Sequence, residues 1–205
     1  MKIAKIKIHY SLIFLLILSL FTGSFFNILG ILCSILLHEL GHVIMLNKFK
    51  VNIKYLELSI IGGIIELEKP QQEAKELKLY QKIIIDSVGV IVNVIIIIIV
   101  SILDFETLNY LITYNLLMIV FNLIPIIPLD GYRLLNDILT SIYDEEYSFY
   151  LIKRIDLVCL IMLLIVMFIL KFYGLFLIWC FLLFKYFRYK VDDIKISKIY
   201  NLLKK

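Results

Sequence analysis

The chain has 205 residues, 62% of them apolar, with a mean hydropathy of +0.97 and a formal net charge of +4. Such hydropathy excludes an ordinary soluble fold, and the length leaves room for one membrane domain but not for several soluble ones besides. The basic excess comes without an aromatic-studded basic region, so the expected partner is the lipid bilayer and not nucleic acid.

Taken in chain order, MKIAKIKIHYSLIFLLILSLF starts basic and turns apolar, like a signal peptide. It lacks a convincing small-residue cleavage site, and a second apolar run follows at once, so it is expected to be retained as a first span. Apolar runs then predict helices near 10–23, 26–46, 83–103, 108–129, 155–171 and 173–188, the first and the last two somewhat shorter than the ~20 residues a bilayer crossing requires. Between the second and third, VNIKYLELSIIGGIIELEK alternates apolar and polar residues around Gly62-Gly63, which predicts a β-hairpin with a glycine turn. The fold class is therefore an all-α polytopic membrane protein of about six transmembrane helices, with a short membrane-associated hairpin between helices two and three. Pro125 and Pro128 should make 122–130 extended or kinked, and a polar, acidic loop around 144–146 should join spans four and five. One membrane-embedded domain is expected over 1–190, with its core at 26–135. A short cytoplasmic tail, 191–205, would rest on anionic lipid as an amphipathic helix.

Lys and Arg sort between the two sides. They precede span one (Lys2, Lys5, Lys7), crowd the segment after span two, recur after span four as Arg133, Lys153 and Arg154, and fill the C-terminus from Lys185. The opposite side holds Lys171 and the acidic DFE at 104–106. This distribution puts both termini in the cytoplasm. Cys33, Cys159 and Cys180 all lie in apolar runs and read as small buried hydrophobes.

Within span two stands His38-Glu39-Leu40-Gly41-His42, and two of the chain's three histidines are in it. Positions i and i+4 share a helix face, so both imidazoles can address one zinc ion, with Glu39 beside it to take a proton from water. Ionisable groups inside a span are costly and indicate function. A catalytic zinc takes a third protein ligand, and Asp130, at the cytoplasmic end of span four, is at the same membrane depth as the histidines by the charge argument. His9, at the N-terminal interface, reads as a solvated boundary residue.

HELGH at 38–42 together with Asn122-x-x-Pro125-x-x-x-x-Asp130-Gly131 resembles the two signatures of the site-2 protease family, peptidase family M50, and most of all its stage IV sporulation protein FB branch. The resemblance implies one zinc per chain on His38, His42 and Asp130, with Glu39 as the catalytic base and Asn122 orienting substrate or water. DSVGVIVNV at 86–94 is similar to the family's GPxxN stretch, keeping Gly89 and Asn93 and replacing the proline with Val90. Gly62 and Gly63 are similar to the double glycine of its membrane-associated hairpin, and with Asn93 and Asn122 they are the expected substrate or oxyanion residues. The implied activity is an intramembrane zinc metalloendopeptidase of a bacterial cytoplasmic or mother-cell-derived membrane. Its client would be a membrane-associated protein such as a pro-sigma factor in sporulation, with inhibitory membrane proteins as further partners. Two alternatives stay open: another client, such as an anti-sigma factor, or a non-catalytic zinc-binding scaffold or transporter. The absence of a PDZ-sized insertion and of a CBS domain sets the sequence apart from some relatives.

Overall fold

The computed structural model describes residues 5–59, 62–68 and 77–188. It divides into two compact units, one ending at Asn122 and the other starting at Leu123.

The first unit runs β1 (Lys5–Ile8), α1 (Tyr10–Phe21), α2 (Phe25–Lys48), β2 (Ile53–Ser59), β3 (Gly62–Leu67), α3 (Leu79–Leu103), a 3-10 turn (Glu106–Leu108) and α4 (Asn109–Leu123). Local chemistry sets the helix ends. His9 Nδ1 accepts from the Ser11 N–H at 3.2 Å and so caps α1. Lys50 turns left-handed (φ 63°) after α2, and the Val51 N–H returns to the Leu46 carbonyl at 2.9 Å. The Lys78 N–H donates to Gln81 Oε1 at 2.8 Å at the start of α3, and left-handed Asp104 (φ 50°) ends that helix.

Helices α2 and α3 pack closely where Gly41 faces Val88 and Val92; a Cβ at Gly41 would lie 2.9 Å from Val92 Cγ2. A core of Leu46, Val51, Ile53 and Ile85, with Ile65 and Leu67 against it, seats the sheet on the ends of these helices. The sheet has the order β1-β2-β3. β2 pairs antiparallel with β3 (Leu56 opposite Ile65) and parallel with β1 (Ile6 opposite Leu56), the intervening α1 and α2 supplying the crossover that a parallel pair requires.

The second unit begins with the irregular stretch 124–129 and continues through α5 (Asp130–Ile142), α6 (Glu145–Leu170), a 3-10 turn (Tyr173–Leu175) and α7 (176–188). Ile127, Tyr132, Leu139 and Ile152 form one core between α5 and α6. Ile126, Leu160 and Leu182 form a second, and Trp179 Nε1 donates to the Leu160 carbonyl at 2.9 Å.

Five expectations change. The hairpin is the larger part of a three-stranded sheet, because LysIleLysIle at 5–8 pairs with β2 ahead of the first helix. Gly62-Gly63 open the returning strand, with the connection at 60–61 outside the described residues. The helix expected over 108–129 stops at Leu123, as the two prolines require, and the loop expected after it contains α5, whose Tyr132, Leu135 and Leu139 share one apolar face. The helix expected over 155–171 starts ten residues early, at Glu145. The tail at 191–205 lies outside the described residues. Among the described residues α2 and α3 are long and apolar enough to cross a bilayer, and α1 is shorter. Large apolar side chains stand exposed along these helices, Ile102 and Phe26 among them, as expected where lipid and not water is the solvent.

Candidate metal and catalytic site

The HELGH turn lies in the second half of α2, with His38 2% and His42 1% exposed. The His42 Nδ1 lies 2.7 Å from the Ile85 carbonyl of α3. A carbonyl oxygen only accepts, so Nδ1 carries the proton and Nε2 presents its lone pair. Backbone orientation of this kind is a recurrent second partner for a metal-binding imidazole. The two Nε2 atoms stand 3.3 Å apart. Two nitrogens each at the zinc–imidazole distance in tetrahedral geometry would be separated by about 3.3 Å. The separation of the two nitrogens is therefore the one expected of two imidazole ligands on a tetrahedral zinc.

Helix α3 comes up against this pair at Gly89, where a Cβ would lie 2.5 Å from both His38 Nε2 and His42 Nε2. The glycine is what lets α3 lie against the imidazoles. Asn93, one turn further along α3, is fully buried. Glu39 points to the sheet: its Oε1 accepts from the Gly63 N–H at 3.1 Å, and a Cβ at Gly63 would lie 2.7 Å from Oε2. Gly62 carries a positive φ of 125° with open space around its Cα, so its role is conformational.

In the second unit Asp130 opens α5, buried and with Oδ1 paired to Arg133 Nη2. A carboxylate has two oxygens, so this pairing is compatible with ligation through the other. Gly131 is required next to it, since a Cβ there would be 2.6 Å from the Leu123 carbonyl carbon. Asn122 is half-buried at the end of α4. The two buried imidazoles of the first unit and this buried carboxylate of the second are all residue types that ligate zinc.

Sequence reasoning had Glu39, His38, His42, Asn93 and both hairpin glycines among its candidates, but missed three features. These are the Ile85 carbonyl, the packing role of Gly89, and the contact of Gly63 with Glu39. A backbone acceptor leaves no mark in sequence, and a glycine does not name the atoms it makes room for.

Residues 26–106 match the family described as Peptidase family M50. The chain is 34% identical over 150 residues to a zinc metalloprotease of Methanocaldococcus jannaschii, covering 67% of this chain and 43% of the relative. It is 29% identical over 161 residues to stage IV sporulation protein FB of Bacillus subtilis, covering 76% and 53%. The chain thus spans about half the length of the curated relatives it matches. Its fold is similar to that of the site-2 protease from Methanocaldococcus jannaschii, with a TM-score of 0.65 and 25% identity over 89% of each chain. A helical membrane fold with an HExxH helix packed on a glycine-bearing partner defines a metalloprotease-type site. The chain is similar to peptidase family M50, whose model matches residues 26–106, and its fold is like that of a site-2 protease.

Proposed function

We propose that the chain is an intramembrane zinc endopeptidase that hydrolyses a peptide bond, in or near the membrane, of a membrane-associated protein. His38, His42 and Asp130 hold the zinc, and Glu39 is the general base. The 3.3 Å separation of the two buried Nε2 atoms, with Glu39 beside them on the next helical position, carries this reading. Zinc at that position would supply Lewis acidity, polarising the scissile carbonyl and making water a competent nucleophile near neutral pH.

The chain's own residues do the rest. The Ile85 carbonyl holds the His42 ring, and the Gly63 N–H fixes one oxygen of Glu39. Glu39 then takes the proton of the attacking water and delivers it to the departing amine. The substrate has to be extended before attack, because a helix hides its carbonyls in hydrogen bonds. The outer edge of β3 suits such a strand. Gly63 directs its N–H away from β2 toward Glu39, and Ile65, two residues on, turns its N–H and carbonyl to the same edge. Both termini lie in the cytoplasm on this reading, and likeness to a sporulation protein supports a pro-sigma factor as the client class.

The test is the zinc content of the detergent-purified full chain, together with its cleavage of membrane-tethered reporters. About one zinc per chain is expected. Asp130→Ala should lose it, whereas Glu39→Gln should keep it and lose turnover. Cleavage retained by Glu39→Gln would end the mechanism.

A further inference from the structure

A buried polar cluster in the first unit is not used by the chemistry above. Ser34 precedes His38 by four residues, so α2 stacks Ser34, His38 and His42 on one face, all buried. Against Ser34 stands Asn115 of α4, fully buried. Its Nδ2 donates to the Leu111 carbonyl at 2.8 Å and to Ser34 Oγ at 3.2 Å. The carbonyl can only accept, so the orientation of this carboxamide is settled. Its Oδ1 has no hydrogen-bond partner among the described residues. Asn93, one turn beyond Gly89, is also fully buried, and neither of its amide atoms has a partner among the described residues.

A buried polar atom left unpaired is costly. Hydrocarbon offers nothing to relieve it. The unmet set is acceptor-rich with one amide donor group and carries no charge. An apolar side chain leaves it unmet, and an ionic ligand would find no counter-charge. An unwound peptide supplies the complementary pattern, with N–H donors and carbonyl acceptors spaced along one strand. Asn115 is moreover seven residues before Asn122, so the two project from the same face of α4.

We propose that Asn115, held by Ser34, and Asn93 form a main-chain recognition subsite about 6 Å, one helical turn, beyond the imidazole pair toward the bilayer interior. It takes the unwound stretch of substrate adjoining the scissile bond. This rests on the proteolytic reading above and adds to it where the substrate backbone is gripped.

The experiment uses the full chain, zinc-loaded and carrying Glu39→Gln to prevent turnover, in detergent micelles. The probe is a fluorescent leucine-rich transmembrane peptide with a Gly-Ser-Gly break in its cytoplasmic half. A series of versions replaces one backbone amide at a time with an ester, which removes a single N–H. At one position the ester should bind about tenfold more weakly, Asn115→Leu should weaken the all-amide probe by about the same factor, and the two losses should not multiply when combined. Zinc content and thermal unfolding report whether Asn115→Leu folds. If it does not, Ser34→Ala carries the same cycle, with a smaller loss at the same ester position. Losses that multiply at every position overturn the subsite, as does a parent protein that binds none of the probes. Coupled binding without cleavage by the Glu39 protein would sink the proteolytic reading and leave the subsite standing. Normal cleavage by Asn115→Leu, with no coupling, would do the reverse.

Discussion

Gly63→Ala separates the placing of the catalytic base from the building of the metal site. The Cβ built at Gly63 lies 2.5 Å from Glu39 Cγ and 2.7 Å from Oε2. An ordinary contact needs roughly 3.4–3.6 Å, so about 1 Å has to be absorbed. The opposing atoms are the far end of a flexible side chain, so Glu39 swings aside and the strand stays where it is. Stability therefore changes little, while the carboxylate loses both its position and its 3.1 Å bond from the Gly63 N–H. A displacement near 1 Å at a reacting group lowers the rate by about a hundredfold, equivalent to ~2.7 kcal/mol of barrier. The assay is the initial rate of reporter cleavage by purified, zinc-loaded protein, with zinc stoichiometry and thermal unfolding measured in parallel. Gly174→Ala, where a Cβ meets nothing within 4 Å, is the control and should be neutral. Full activity in Gly63→Ala, with zinc retained, would refute the claim that this contact positions the base.

Gly89→Ala acts on the metal pair itself: the rings it would meet are pinned, His42 to the Ile85 carbonyl, so α3 has to shift. Overpacking of about 1–3 kcal/mol should show in thermal unfolding, together with zinc affinity at least tenfold weaker by chelator competition. Ile65→Pro removes an outward N–H from the β3 edge, and it should slow cleavage of reporters while leaving zinc content unchanged. Glu66 carries a carboxyl pKa held below the ordinary 4.5, first by the hydrogen bond from Lys54 and then by Tyr55. A depressed folded value means the stabilisation is present above 4.5 and is lost as pH falls through the lower folded value. Acidification below the ordinary value and through the lowered folded one should therefore loosen the β2–β3 pair, measured by hydrogen exchange, and Lys54→Met should remove that acid dependence.

Some of this architecture could be read from the sequence alone, because the signals are local. Hydropathy runs over about 20 residues mark helices whatever their neighbours are, and α2 and α3 appear where the runs predict them. The spacing of His38 and His42 specifies a shared face through helix geometry, and Pro125 with Pro128 end α4 by removing donors. What decided β1 was pairing: Lys5–Ile8 is too short and too polar at alternate positions to declare itself until β2 offers an edge. Likewise α5 was hidden because its apolar stripe has meaning only against Ile152 of α6.

The sequence by itself determined that a pair of imidazoles and a carboxylic acid share one turn of a membrane helix, since chain connectivity and a 3.6-residue repeat suffice for that. Only the tertiary structure decided how those groups are held: the Ile85 carbonyl on His42, Gly89 under both rings, the Gly63 N–H on Glu39, and Asn115 on Ser34. Each joins segments more than twenty residues apart through a backbone atom, a missing Cβ or a neutral amide. Such contacts are set by packing, and packing has no period that a single chain can display.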